Sequence, residues 1–173
     1  KFERFADDGL LHCQSLRQAE KVLEAIKDRL KECGLELHPE KTKIVYCKDG
    51  KRELKYSNHS FDFLGYTFRP RKARNRYGRL FLNFTPAVSN KAKSKIMEEI
   101  KSWKLHRKTN LSCTEIAKKI NPAMRGWINF YGKYHKSALY SLFFQLDKIL
   151  IRWSQWKFKK LRTSLQRTLK WWR

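Results

Sequence analysis

Arg4-Phe5-Ala6-Asp7-Asp8-Gly9-Leu10-Leu11-His12 sets two adjacent carboxylates between two short apolar runs. Asp-Gly is a strong hairpin signal, because a two-residue type I′ turn needs positive φ at both central positions. Phe5-Ala6 and Leu10-Leu11 therefore read as two strands, with Asp7 and Asp8 at the tip. A hairpin tip holds carboxylates rigidly and leaves them open to solvent. That suits Mg²⁺, which takes one or two protein carboxylates together with phosphate oxygens and water. The plainer reading is an ordinary turn, where Asp is common because its side chain bonds its own backbone.

Downstream, Ser15 and Gln18 form a capping box, and Ala19, Val22, Leu23, Ile26 and Leu30 follow at helical spacing up to Gly34. This stripe is expected to pack on a sheet. Leu35–Thr42 reads as a turn into a strand over Lys43–Cys47, and Lys48–Ser60 as a polar loop with a turn at Asp49-Gly50. Phe61, Phe63 and then Leu64–Phe68 read as a strand in which Gly65 permits a close approach. Arg79–Phe84 is its partner. The connection Arg69–Gly78 carries Arg69, Arg71, Lys72, Arg74 and Arg76 beside Tyr77, a composition that suits nucleic-acid contact.

After Pro86 the period becomes helical. Ser89 caps one helix, with Ala92, Ile96, Ile100 and Trp103 on one face. Ser112 and Glu115 make a second capping box, and Asn121-Pro122 reads as the start of a further helix. The longest apolar stripe is Leu139, Leu142, Phe143, Leu146, Ile149, Leu150 and Trp153. The fold class is thus α+β, a short mixed piece over 1–85 followed by an all-helical basic piece over 86–173. Most aromatics of the helical piece are expected in its core, Trp103, Phe143 and Trp153 first, and Trp127 and Tyr131 are read as packing rather than stacking on RNA.

Charge points to the partner. The net charge is +24, and self-repulsion of that size favours a polyanion, nucleic acid before an anionic membrane. Residues 1–85 carry 19 Lys+Arg against 12 Asp+Glu, and residues 86–173 carry 21 against 4, so the helical half is the main polyanion surface. Arg125, Lys133, Lys136, Lys157, Lys159, Lys160 and Arg162 are its candidate RNA contacts, of a kind that gives affinity and salt dependence rather than sequence choice. No apolar run approaches membrane-spanning length. The four cysteines lack metal or disulfide spacing and read as reduced, small core residues of a cytoplasmic protein. The five histidines are scattered and take no role. The chain opens at Lys1, a few residues before a hairpin that needs neighbouring strands, so it reads as a fragment or as the ordered part of something longer.

These residues resemble the group II intron-encoded reverse transcriptase/maturase family. Arg4-Phe5-Ala6-Asp7-Asp8 is similar to the Tyr-Ala-Asp-Asp motif of reverse transcriptases. Glu40-Lys41-Thr42 and Phe63-Leu64-Gly65-Tyr66 resemble the palm segments that follow it. Asn121-Pro122, Arg125-Gly126-Trp127, Phe130-Tyr131-Gly132, Leu139-Tyr140, and Arg152-Trp153 with Lys157–Lys160 resemble the maturase, or thumb, domain. The motifs are short, but they occur in the family's order over nearly the whole chain.

The resemblance implies the C-terminal part of a palm over 1–85 and a thumb/maturase domain over 86–173. It implies RNA-templated DNA synthesis in the full-length parent and binding of intron RNA for splicing, in a bacterial host. Asp7 and Asp8 match the catalytic metal pair for Mg²⁺. Phe63, Leu64, Gly65 and Tyr66 match the turn that holds the primer end, and Lys41 matches a palm lysine near the nucleotide's phosphates. The chain departs from the family in Phe5, usually Tyr, and in Gly9, usually a bulky apolar residue. The family's third metal-binding aspartate and its fingers should precede the hairpin, supplied in cis or by another chain. Two-metal transfer needs carboxylates from separate strands around ions about 4 Å apart, so this chain alone is expected not to polymerise. The alternatives are a non-catalytic RNA-binding splicing factor and a generic basic nucleic-acid-binding domain.

Overall fold

The structure is a computed structural model that describes residues 1–50 and 56–172. It divides into two compact units, Lys1–Phe63 with Phe68–Phe84, and Leu64–Thr67 with Thr85–Arg173.

In the first unit, β1 (Phe2–Phe5) and β2 (Asp8–Leu11) pair antiparallel, with Phe5 opposite Asp8 and Arg4 opposite Gly9. The expected hairpin is present, but its turn is Ala6-Asp7, so Asp8 already belongs to a strand. Ala6 has φ +53°, and it is the turn's one residue in the left-handed region. A positive φ at the first central position alone is the type II′ pattern, not the type I′ expected from Asp8-Gly9. Gly9 serves packing instead. A Cβ there would stand 3.3 Å from Cε2 of Phe2, whose ring covers the position.

Helix α1 spans Leu16–Glu32. Ser15 accepts from the Gln18 amide at 3.2 Å, and Gln18 Oε1 reaches back to the Gln14 amide at 2.7 Å, one residue beyond the cap's own N–H. At the other end the Leu35 amide donates to the Leu30 carbonyl at 2.8 Å and Gly34 to Lys31 at 3.0 Å, with Gly34 at φ +69°. This is the Schellman pattern, in which glycine takes the left-handed position. The stripe Ala19, Val22, Leu23, Ile26 and Leu30 is half-covered, and no residue of α1 is buried.

The strand expected over Lys43–Cys47 does not form. The segment is tied by Tyr46 N–H to the Asn58 carbonyl (2.9 Å) and Asn58 Nδ2 to the Ile44 carbonyl (3.3 Å), without a ladder. The polar loop expected over Lys48–Ser60 lies in part, at 51–55, outside the described residues. The strand expected across Phe61–Phe68 is folded in two. β3 (Phe61–Phe63) turns at Leu64-Gly65 into β4 (Tyr66–Arg74), which pairs with β5 (Leu80–Val88), in the order β3-β4-β5. Leu64 and Gly65 have φ +49° and +79°, the two positive values of a type I′ turn. The turn brings Phe61 onto Phe68, with ring centroids 4.8 Å apart and planes 3° from parallel.

The basic connection is shorter than expected. Arg69, Arg71, Lys72 and Arg74 lie within β4, and Asn75 closes the turn by accepting from the Tyr77 and Arg79 amides at 2.9 Å. Pro70 is tolerated because it lies past the end of the three-residue β3. Pro86 is tolerated because β5 is an edge strand. β5 therefore runs on to Val88, beyond the expected end at Phe84.

The second unit takes the base of this hairpin, where the Ser89 amide donates to the Gly65 carbonyl at 2.9 Å. Helix α2 (Asn90–Ser102) starts from Ser89, whose Oγ accepts from the Ala92 amide at 3.1 Å. A short 3₁₀ turn, Leu105–Arg107, leads to α3 (Cys113–His135). The expected capping box is complete, with the Glu115 amide to Ser112 Oγ at 3.2 Å and the Ser112 amide to Glu115 Oε2 at 2.7 Å. No new helix begins at Asn121, because Pro122 lies inside α3. Proline removes one ladder bond and costs roughly 3 kcal/mol in a helix interior. The stripe Ile116, Ile120, Met124, Trp127 and Tyr131 continues across it without a change of phase, and Ile116 and Ile120 are buried. Full burial of one such side chain contributes about 1.5–3 kcal/mol, so the continuous stripe outweighs the local penalty.

Helix α4 (Tyr140–Lys157) supplies Leu142, Leu146 and the fully buried Trp153 to a core shared with Ile100, Leu105 and Leu139. Its C-terminal turn clamps the segment before α3. Trp153 Nε1 donates to the Lys108 carbonyl, and Lys157 Nζ donates to the carbonyls of Thr109 and Leu111, all at 2.8 Å. Helix α5 (Leu165–Trp172) is seated by Thr168, which is fully buried and accepts from Gln155 Nε2 at 3.4 Å, and by Trp172 Nε1 donating to Ser154 Oγ at 3.2 Å.

Two expectations about cores are corrected in part. No cysteine is fully buried: Cys113 packs against the core, Cys13 is half-covered, and Cys33 and Cys47 are exposed. Among the helical unit's aromatics in α2 to α5, only Trp153 is buried outright. Trp103 and Phe143 are half-covered and pack against the core, as expected, while Phe130, Tyr134, Tyr140, Phe144 and Trp156 are exposed. Tyr140 and Phe144 lie off the α4 stripe, where the helical period turns them to solvent, whereas Phe130 and Tyr134 keep one side of their rings against Tyr66.

Candidate functional site

Asp7 sits in the turn and Asp8 at the first position of β2, and both are exposed. Among the described residues neither carboxylate has a hydrogen-bond or ion-pair partner. The nearby Arg4 is engaged elsewhere, its Nε donating to the Ala6 carbonyl at 2.8 Å. That bond holds the one strained residue of the turn, since an alanine in the left-handed region costs roughly 1–2 kcal/mol. The pair presents hard oxygen donors free of competing cations and fits a share of a divalent-cation site. Among the described residues no group of three or more His, Cys, Asp or Glu is placed to hold a metal ion.

Phe63 ends β3, half-buried. Leu64 is exposed at the turn, and Tyr66 is buried at the start of β4. The turn is held by α3. The Tyr66 hydroxyl donates to the Phe130 carbonyl, and the Tyr66 ring meets those of Phe130, Tyr131 and Tyr134 at centroid distances of 5.2, 5.5 and 5.7 Å. Burial pushes the Tyr66 phenol up from its ordinary value, with Tyr134 and Tyr131 adding to the shift, which keeps the hydroxyl a donor. Tyr131 Oη lies 2.9 Å from where a Cβ on Gly65 would stand. Gly65 thus permits a close approach, as expected, but of a side chain from this chain. Sequence reasoning missed Tyr131, whose placement depends on a turn more than sixty residues earlier in the chain. Lys41 is exposed in a turn closed by the Thr42 amide to the His38 carbonyl at 2.9 Å.

Arg69, Lys72, Arg74 and Arg76 are exposed, and Arg71 is half-buried. Burial, and then the charge of Arg69, lower the Arg71 value. The Arg76 guanidinium lies 4.6 Å from the centroid of the exposed Tyr77 ring. In the helical unit Arg125, Lys133, Lys136, Lys159, Lys160 and Arg162 are exposed. Lys157 is not available in the same way, because its ammonium is bound by two carbonyls of the segment before α3. Its spacing gave the signal. Lys157 is one helical turn from the buried Trp153 and shares its face. Two exposed aromatic–cation pairs went unforeseen: Lys133 over Tyr134 at 5.7 Å and Lys148 over Phe144 at 4.6 Å. Trp127 stacks on Trp103 at 5.6 Å, which supports packing for that residue.

Residues 1–68 match the family model described as Reverse transcriptase (RNA-dependent DNA polymerase). Residues 93–171 match that of Group II intron, maturase-specific domain. The chain therefore joins a reverse-transcriptase segment to a maturase segment. It belongs to the group II intron reverse transcriptases/maturases, whose function combines reverse transcription with a role in intron splicing. Its partners are accordingly nucleic acids, intron RNA among them, and the polymerase family works with divalent metal. The two matches do not favour the alternatives of a generic basic domain or a purely non-catalytic splicing factor. No curated relative and no solved structure gives a significant match. No helix among the described residues is long and apolar enough to cross a membrane.

Proposed function

We propose that Asp7 and Asp8 are polymerase carboxylates that hold part of a Mg²⁺ site. In this reading residues 1–85 are the C-terminal part of the palm and residues 86–173 the thumb/maturase domain. The observation that carries it is the exposed Asp7-Asp8 pair, without a partner among the described residues, on a hairpin within the segment that matches the reverse-transcriptase model. Bound Mg²⁺ supplies charge stabilisation at the reacting phosphate, a contribution of several kcal/mol. The protein's part is to fix the carboxylates and the primer. Ala6 and Arg4 set the turn, Phe63, Leu64, Gly65 and Tyr66 hold the primer end, and Lys41 meets the nucleotide's phosphates.

The exposed cations of β4 and its turn, Arg69, Lys72, Arg74 and Arg76, together with Arg71, track the nucleic-acid backbone. So do Arg125, Lys133, Lys136, Lys159, Lys160 and Arg162 in the helical unit. The exposed rings of Tyr77, Tyr134 and Phe144, each beside a cation, support stacking on unpaired bases.

The test is primer extension on an RNA template by the full-length protein. Extension is expected to require Mg²⁺, to stop on chelation, and to fall at least about 100-fold in Asp7→Asn and in Asp8→Asn, in line with the loss of several kcal/mol of transition-state stabilisation. Extension that persists in both variants refutes the assignment.

A further inference from the structure

We propose that Tyr131, on α3 of the maturase-matching segment, is a positioning residue for reverse transcription, its hydroxyl wedging the Leu64–Thr67 turn into the shape that presents the primer's 3′ end. The inference rests on the reading of Phe63–Tyr66 as the primer-holding turn.

The turn does not hold itself. Leu64 adopts φ +49°, a conformation that side-chain-bearing residues rarely take without outside support. The support comes from the helical unit, to which Leu64–Thr67 belongs. The Ser89 amide fixes the Gly65 carbonyl at 2.9 Å, and the Tyr66 hydroxyl is anchored on the Phe130 carbonyl. Tyr131 is the third restraint. Its Oη, Cε1 and Cζ lie 2.9, 3.3 and 3.5 Å from the position of a Cβ on Gly65, so the phenol fills the space a side chain would need. The Tyr131 hydroxyl makes no hydrogen bond among the described residues, so its role at the turn is steric rather than polar. The Tyr131 ring packs against the hydrophobic core. The ring therefore serves both the core and the turn, where it also meets the Tyr66 ring at 5.5 Å, and the hydroxyl adds the closest approach to Gly65, the one contact that Tyr131→Phe removes.

Glycine at position 65 is then required twice, by φ +79° and by Tyr131. A misplacement of about 1 Å at a group that orients substrate can cost roughly 100-fold in rate, so a loosened turn acts on extension while RNA binding by the helical surface is spared.

The experiment uses the full-length protein, an RNA template and a DNA primer. It measures kcat, the KM for primer-template, and affinity for intron RNA in Tyr131→Phe, Gly65→Ala and the double variant. Tyr131→Phe keeps the ring and is expected to melt as the unmodified protein does, to bind intron RNA within about twofold, and to raise the KM for primer-template or lower kcat by about tenfold. Gly65→Ala is expected to lose more, and adding Tyr131→Phe to recover part of that loss, because the atom at 2.9 Å is gone. If Gly65→Ala fails to fold, Tyr131→Phe alone decides. Unchanged extension by Tyr131→Phe overturns the proposal, as does a parallel fall in intron-RNA affinity, which would mark a merely structural role. If the unmodified protein extends no primer, the reading of the turn fails first and the proposal with it; normal extension that is insensitive to Tyr131→Phe overturns the proposal alone.

Discussion

Trp153→Phe tests how the helical unit holds the segment in front of α3. The indole is fully buried, and its Nε1 donates to the Lys108 carbonyl at 2.8 Å. Phenylalanine keeps the aromatic packing but leaves that carbonyl without its donor, a cost of about 1–3 kcal/mol for a desolvated acceptor. It also removes three ring atoms from a close-packed site. At about 0.8 kcal/mol per buried methylene that adds roughly 2 kcal/mol. The Lys108 end of the bond is only partly buried, which favours the lower part of the first range, so the expected destabilisation is about 3 kcal/mol. Urea unfolding followed by far-UV circular dichroism reads it. With a slope near 2 kcal/mol/M the midpoint falls by about 1.5 M. A shift below about 0.3 M would refute the reasoning, because it would mean that neither the indole bond nor the tight packing contributes to stability.

The Ser112 amide and hydroxyl hold the Glu115 carboxyl below its ordinary value of 4.5, so the cap's stabilisation is present above that pH and disappears as pH falls through the folded value. Glu115→Gln should flatten the acid limb of a thermal-melting profile below pH 4.5. Tyr66 has the opposite sense: its raised folded value means that the unfolded chain gives up the phenolic proton first, so stability is retained below 10.0 and falls as pH rises beyond it. That component of the alkaline decline should be absent from melting curves of Tyr66→Phe. Replacing Arg69, Lys72, Arg74 and Arg76 with Gln should weaken RNA binding across sequences and reduce the slope of log K against log salt by about 0.7–0.9 for each phosphate that is no longer neutralised. An unchanged slope would remove β4 from the interface.

What could be read from the sequence was local. The Ser15, Ser89 and Ser112 caps, the Gly34 stop and the α4 stripe each depend on residues within one or two helical turns, so propensity and period suffice. Hairpin registers were harder. Asp8-Gly9 carries the stronger turn signal, yet the turn forms at Ala6-Asp7, where Arg4 Nε supports the Ala6 carbonyl and Gly9 lies beneath the Phe2 ring. The Leu64-Gly65 turn looked like continuous strand, although two three-residue runs, Phe61-Asp62-Phe63 and Tyr66-Thr67-Phe68, flank it symmetrically. Pro122 suggested a helix start because its local cost is visible in sequence, while the stripe that outweighs it becomes decisive only in the packed core. Asp7 and Asp8 were legible as a chemical pair. The role of Tyr131 was not, because it comes from packing against a turn far away in the chain.

Whether Asp7 and Asp8 are the polymerase carboxylates is decided by cDNA synthesis and intron binding measured side by side in Asp7→Ala/Asp8→Ala of the full-length protein. Mg²⁺-dependent extension is expected to disappear, while salt-dependent binding of intron RNA is expected to stay within about twofold, as it should if cations elsewhere in the chain supply that affinity through phosphates. Extension that survives the double substitution would contradict the assignment.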